Sequence, residues 1–241
     1  MLRNDTEQYY SDLAAYHKKM RDVPPEKMTD FFTNRIVGYE EHMMLFEDGY
    51  RRYAEIFREK WCALPETYRE KPVTDLGCGT GLELDYLYPD FPTLAVCGID
   101  LNEAMLRRFR ERHPDKTIET VCADYFKAAL PAAPAVLSFE SLHHFPLAQK
   151  AALYARIADS LLSGGFFLLG DYMACSVREE EMCAVFAREK RERFHIPPEQ
   201  FIHVDTPIYY ETELTAVRGA GFRSAEIVHA ENGVVILYAE K

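Results

Sequence analysis

Basic residues are scarce in this chain: its 241 residues hold 28 Lys and Arg against 39 Asp and Glu, a formal net charge of −11. A nucleic-acid ligand requires a positive surface that neutralises phosphates, and an acidic chain must build one against its own field. The balance favours a small or weakly charged substrate and argues against nucleic acid. Paired cysteines are missing too. Cys62, Cys78, Cys97, Cys122, Cys175 and Cys183 are scattered with no Cys-x-x-Cys pair, the pattern of reduced thiols rather than of a metal or redox centre. No apolar run approaches the roughly 20 residues that cross a bilayer, and Met1 to Met20 is polar and tyrosine-rich, unlike a signal peptide. The expectation is a cytoplasmic protein with no membrane partner. No heptad seam or evident interface patch appears, so the oligomeric state is left open.

Strand-like patterns are nearly absent before residue 70. Tyr10, Leu13, Ala14 and His17 give a helical stripe that Pro24 and Pro25 interrupt, and a second helical stretch runs from about Thr29 to Phe46. Tyr50, Tyr53, Ala54, Phe57 and Trp61 mark one face of a third, ended by Leu64-Pro65. Then comes the stretch that organises the rest. A β-prone run ends at Asp75, Gly77, Gly79 and Gly81 follow at alternate positions, and a helix-compatible segment continues to Pro89. Glycines so spaced allow φ > 0 and let a nucleotide-like ligand lie against the main chain. Two common cradles are disfavoured by what the stretch lacks. The Gly-x-Gly-x-x-Gly of dinucleotide enzymes needs a glycine where Leu82 stands, and no Gly-Lys-Ser/Thr follows for a nucleoside triphosphate.

The spacing of Asp75, Gly77, Gly79 and Gly81 resembles the first motif of the class I S-adenosylmethionine (SAM) dependent methyltransferases, Asp/Glu-x-Gly-x-Gly-x-Gly. The resemblance implies that the glycine turn meets the methionyl and ribose parts of SAM and that Asp75 lies near its ammonium group. Leu94 to Ile99 reads as the next strand and ends at Asp100. A carboxylate at that strand end can accept from both ribose hydroxyls, while Asn102 supplies the cap of a helix from Glu103. Ile118 to Cys122 leads into Asp124 and Tyr125, where the resemblance implies an acidic acceptor for the adenine amino group and side chains that cover the ring. Leu101 and Met105 are candidates to pack on the base or simply to serve the core. Arg107, Arg108, Arg110 and Arg112 raise the question of RNA, but they point several ways around one helix and no RNA-binding motif accompanies them.

Ala135 to Phe139 reads as the fourth strand, and Glu140-Ser141-Leu142-His143-His144-Phe145 follows where a ligand crevice opens in a parallel sheet. Leu-His-His resembles small-molecule methyltransferases and departs from the Asn/Asp-Pro-Pro-Tyr/Phe of amino-group methylators of nucleic acids. Histidine titrates near neutrality, so His143 or His144 can take a proton from an acceptor; either can equally shape the loop. No further ligand follows the pair at helical spacing, which argues against zinc, and no metal is expected. Glu140, Tyr172, His203, Asp205 and Tyr209 are weak candidates for the acceptor pocket. Tyr39 and His42 are placed at its mouth, because the segment before the first strand folds over SAM as a lid in similar enzymes.

Leu147 to Leu162 is expected as a helix ended by Ser163-Gly164-Gly165, Phe166 to Gly170 as a strand, Arg178 to Arg193 and Glu211 to Arg218 as helices. Ser224 to His229 and Val234 to Ala239, joined by Glu231-Asn232-Gly233, form a terminal hairpin. The expected architecture is a helical cap over residues 1–70 and a SAM-binding domain over 71–241, with an insertion at about 174–210 that contributes to the acceptor pocket. The resemblance implies a Rossmann-like α/β sheet of seven strands, order 3-2-1-4-5-7-6, with the last strand antiparallel. The expected function is SAM-dependent methyl transfer to a small-molecule acceptor, leaving S-adenosylhomocysteine (SAH). An RNA-modifying enzyme on the same fold and a non-catalytic SAM-binding regulator are the alternatives.

Overall fold

The computed structural model describes residues 6–231 and 233–241, so Asn232, the centre of the expected terminal turn, lies outside the described residues. Its strands are β1 (Val73–Leu76), β2 (Val96–Asp100), β3 (Ile118–Cys122), β4 (Ala133–Phe139), β5 (Leu161–Tyr172), β6 (Ser224–Glu231) and β7 (Val234–Glu240). Among the described residues these form one seven-stranded sheet in the order β3-β2-β1-β4-β5-β7-β6. All neighbours are parallel except β7, which runs antiparallel to both β5 and β6. This is the expected topology. Every residue of β1 and of β4 is buried, as strands covered by helices on both faces must be.

Before β1 come α1 (Glu7–Met20), α2 (Met28–Met43), α3 (Glu47–Ala63) and the single turn α4 (Glu66–Arg69). Between the strands lie α5 (Leu84–Leu87), α6 (Glu103–Arg112), α7 (Leu147–Ser160), α8 (Val177–Arg193) and α9 (Tyr210–Arg218). The aromatic face of α3 covers one side of the sheet: Tyr53 and Phe57 are wholly buried, Phe57 lies edge-on to Phe166, and the Tyr53 hydroxyl donates to the Leu168 carbonyl at 2.8 Å. On the other side α7 and α9 pack through Leu153, Tyr154, Ile157 and Val217. There the Lys150 ammonium donates to Glu213 at 2.7 Å and the Tyr154 hydroxyl donates to the same carboxylate, all three wholly buried.

Two expected elements differ. The segment after the glycines is only the four-residue α5, because it is entered by tight turns in which Leu84, Asp85 and Tyr86 donate three residues back, and Pro89 follows. Ser163-Gly164-Gly165 does not end a helix. α7 stops at Ser160 and β5 runs through the glycines, with a register shift where Leu161 pairs with Ala133 and Phe166 with Ala135. Gly164 takes φ +75° in that irregular stretch, the bulge that a glycine permits inside a strand.

The helices before β1 interlock with the segment that follows β5. Tyr9 and Tyr172 hydroxyls both donate to Glu179 Oε1 at 2.5 Å, and the Cys175 N–H donates to its other oxygen at 2.7 Å. Lys27 bridges to Ile202, and α2 is fastened to the sheet by Asn102, whose amide donates to the Thr29 carbonyl and the Thr33 hydroxyl at 3.0 Å.

The Lys150–Glu213 pair makes a stability prediction. Glu213→Gln leaves the Lys150 charge buried without its counter-ion and should cost about 3–5 kcal/mol, read as a lower midpoint in urea. Because neither residue lines either cavity described below, ligand affinity of the folded variant should be unchanged.

Candidate active site

β1 runs between β2 and β4, so the chain leaves its C-terminal end at the point where the sheet order reverses, the place where open α/β sheets hold ligands. Gly77, Gly79 and Gly81 have φ of +70°, +50° and +71°. At Gly77 a Cβ would fall 1.9 Å from Ser141 Oγ, so this turn accepts no side chain. Gly77 and Gly79 line a cavity together with Asp100, Leu101, Met105, Asp124 and Tyr125. α2 closes it from above with Met28, Thr29, Phe32 and Tyr39.

Asp100 ends β2. Its Oδ2 accepts from the Gly79 N–H at 3.0 Å and its Oδ1 from the Asn102 N–H at 2.8 Å, which leaves each oxygen a further lone pair for a ligand. Burial raises its pKa against the pull of those N–H groups. Asp124 accepts from the Phe126 N–H at 2.9 Å and pairs with Lys127 at 3.0 Å. Tyr125 shares a 3.1 Å hydrogen bond with Ser141, and Asn102 caps α6 by accepting from Ala104 and Met105. Asp75 and Gly81 are not on the cavity wall. Asp75 is buried against Glu83. Burial raises both carboxyls; the Glu83 proton pulls Asp75 back, leaving it at about 6, while the Asp75 charge drives Glu83 well above the ordinary range. Neither Asp75 oxygen has a protein donor among the described residues, a deficit that one proton shared by the pair repairs.

A second chamber adjoins the first, with Phe32, Tyr39, Glu140 and His144 common to both walls. Glu140 takes φ +49° at the end of β4, a conformation that costs a non-glycine residue energy and recurs at functional sites. The chamber collects His143, His144, Tyr172, His203, Asp205 and His42. Nδ1 of His143 lies 2.6 Å from Oδ1 of the wholly buried Asp171. Burial opposes charge on His143, but Asp171, helped by Asp205 and Glu140, carries its pKa up to about 9. His144 is pushed down by burial and by His143, and His203, which stacks on Phe31, is pushed down to about 3 by burial and by His144. Desolvation by the surrounding residues works against the charge of Asp205, whose side chain is still about half exposed, but the His144 ring 3.2 Å away and the nearby histidines hold its pKa below the ordinary range.

Tyr209 is not brought to either wall; its N–H donates to Glu180 at 2.8 Å. Residues missing from the sequence expectation are Tyr9, Asp12 and Tyr16 on the chamber wall and Phe201 on the first cavity. The signal was present: Tyr9, Asp12, Leu13 and Tyr16 recur at helical spacing, beside the stripe read from Tyr10 and His17. The arginines of α6 are largely occupied, Arg108 and Arg112 on Glu40, Arg112 also on Asp85, and Arg110 on Glu103.

A family described as a methyltransferase domain matches residues 73–165, the span from β1 through the glycines of β5. Residues 73–165 are a methyltransferase domain of the class I SAM-dependent type. A carboxy-S-adenosyl-L-methionine synthase of Nautilia profundicola is 23% identical over 92% of this chain and 99% of its own length. A trans-aconitate 2-methyltransferase of Afipia carboxidovorans is 30% identical over 52% of this chain, which spans only 46% of that relative. Among solved structures, a DhpI–SAH complex superposes with a TM-score of 0.62 at 15% identity, covering 88% of this chain and 93% of the other. The cofactor of the family is SAM. Among the described residues no helix is long and apolar enough to cross a membrane.

The shared proton of Asp75 and Glu83 gives a pH dependence. Both groups bind a proton more tightly in the fold than in the unfolded chain, whose carboxyls titrate near about 4. The stability they contribute is complete below that pH; the Asp75 share is lost as pH rises through about 6, and the Glu83 share at higher pH. Urea midpoints measured from pH 5 to 8 should fall with rising pH, and Glu83→Gln, which gives Asp75 a permanent donor, should flatten the slope.

Proposed function

We propose that this methyltransferase moves the methyl group of SAM to a nucleophilic atom of a small molecule, with SAM beneath α2 and the acceptor in the adjoining chamber. The observation that carries the proposal is the common wall of Phe32, Tyr39, Glu140 and His144. Across it the cofactor's methyl and an acceptor can meet in line. The backbone of Gly77 and Gly79 lies against the methionyl and ribose parts, Asp100 accepts from the ribose hydroxyls through its remaining lone pairs, and Asp124 accepts from the adenine amino group. Leu101, Met105 and Tyr125 flank the base. The acceptor's lone pair forms the new bond to carbon as the carbon–sulfur bond breaks, sulfur keeps that bond's electrons, and SAH leaves. Rate comes from alignment and from exclusion of water by α2.

SAM carries a sulfonium and an ammonium charge, and Asp100, Asp124 and Glu140 face its cavity with no lysine or arginine among the described lining residues. The acceptor chamber is equally acidic: Asp12, Glu140 and Asp205 line it, again without lysine or arginine among the described residues. A tricarboxylate such as trans-aconitate finds no lysine or arginine there, and the charge of His143 is already matched by Asp171. A carboxylated cofactor, as the name of the Nautilia relative describes, would bring a further negative charge to the same wall. Plain methyl transfer to an acceptor without several carboxylates suits these surroundings better. The α6 arginines, spent on Glu40, Asp85 and Glu103, leave little for a phosphate backbone, which favours a small molecule over RNA.

Asp100→Asn tests the cofactor assignment. Losing a charged acceptor for the ribose hydroxyls should lower SAM and SAH affinity roughly 10- to 100-fold by calorimetry, with an unchanged circular dichroism spectrum. Equal affinity in the variant would remove Asp100 from the cofactor site.

A further inference from the structure

We propose that the acceptor chamber holds a divalent transition-metal ion, bound by Nε2 of His143, Nδ1 of His144 and the carboxylate of Asp205. Its use in catalysis rests on the methyl-transfer function proposed above; its binding does not. The three donor atoms lie within 4.8 Å of one another. Oδ1 of Asp205 is 3.2 Å from Nδ1 of His144 and 3.9 Å from Nε2 of His143.

The orientation of each ring supports a cation between them. An ionised carboxylate only accepts, so the 2.6 Å bond between Asp171 and His143 requires a proton on Nδ1 and turns Nε2 toward the Asp205 side, where an ion would take the place of that nitrogen's proton. A buried carboxylate behind a ligating histidine is the arrangement that fixes tautomer and ring plane at metal centres. His144 gives the second, independent observation. Its side chain is 5% exposed, and its Nδ1 faces Asp205 without making a hydrogen bond to it or to any other described protein atom. A buried nitrogen facing a carboxylate with no hydrogen bond between them is satisfied by an ion that accepts both lone pairs.

Spacing separates a metal from an ammonium group of the acceptor. Ligands about 2.1 Å from an ion are about 3.0–3.4 Å apart in octahedral or tetrahedral geometry, whereas acceptors of one ammonium, each about 2.9 Å from its nitrogen, are about 4.6 Å apart. Separations of 3.2 and 3.9 Å lie nearer the ion. Two imidazoles and one carboxylate suit zinc, manganese, iron or cobalt rather than magnesium or calcium, and they leave coordination positions open. Those positions face the chamber, where a hydroxyl oxygen of the acceptor would bind. Its proton passes to solvent, and the oxygen then forms the bond to the methyl carbon as sulfur departs with its electron pair. Asp205 reaches the histidines by a backbone tie: the Thr206 N–H donates to the His143 carbonyl at 2.7 Å.

The test is calorimetric titration of full-length, chelator-treated protein with zinc chloride and manganese chloride, with SAH affinity measured on the same samples. The expected result is one ion per chain with at least one of the two salts. Asp205→Asn and His144→Ala should weaken that binding 100-fold or more and Asp171→Asn about 10- to 100-fold. Asp12→Asn, which changes the charge of the chamber but no ligand, should leave ion affinity as it was. Asp205 is not on the SAM cavity wall, so unchanged SAH affinity in Asp205→Asn certifies the fold. No saturable ion binding by protein that binds SAH overturns the proposal, as does binding that survives both Asp205→Asn and His144→Ala. Loss of SAH binding by the wild type would instead overturn the cofactor assignment, leaving the ion titration to be read by itself.

Discussion

The site depends on one interaction, the acceptance of the Gly79 N–H and the Asn102 N–H by the two oxygens of Asp100. It joins the turn after β1 to the end of β2 and so holds the cradle open at the place where the sheet order reverses. The three glycines of the turn have no side chains with which to fix it; a charged acceptor does that from outside. Asn102 extends the same device. Its N–H is held by Asp100, its side-chain oxygen caps α6, and its amide reaches Thr29 and Thr33 on α2. One short segment thereby positions the floor, the wall and the roof of the cavity.

Around that frame the protein concentrates carboxyl groups to an unusual degree. Asp75 and Glu83 lie under the turn, Asp100 and Glu140 on the cavity wall, and Asp171 behind His143, with the half-exposed Asp205 at the far side of the histidines. Buried charges of one sign oppose folding unless a proton or a cation accompanies them. The structure resolves this in two ways. Under the cradle one proton serves two carboxyls; at the ligand cavities the positive charge is left to come from what binds. A sulfonium cofactor is the natural complement of the first cavity, and a histidine–carboxylate cluster occupies the second.

Much of this was legible in the sequence because it is local. The β1–glycine–α5 run, the Asp100 strand end, the Asn102 cap and the terminal hairpin each declare themselves within about ten residues, and from them the sheet order follows by family resemblance. What was not legible comes from segments far apart in the chain. His143 and His144 sit on a turn after β4, Asp171 on β5 and Asp205 in the segment before α9. Helical spacing alone therefore found no third ligand for the His pair, whereas the backbone bond from Thr206 to His143 brings one in. The ending of α7 was misplaced for a related reason: Ser163-Gly164-Gly165 reads as a stop signal, yet pairing with β4 draws it into a bulged strand. α1 carries two apolar-aromatic stripes, and only tertiary packing decides that Tyr9, Asp12 and Tyr16 face the chamber.

The central claim is that SAM lies between the glycine turn and α2. Hydrogen–deuterium exchange with and without SAH tests it most directly. Backbone amides of residues 77–83, 100–105 and 124–126, and of 29–39 on α2, should exchange more slowly when SAH is present. Protection that leaves both the glycine turn and α2 unchanged would contradict the account.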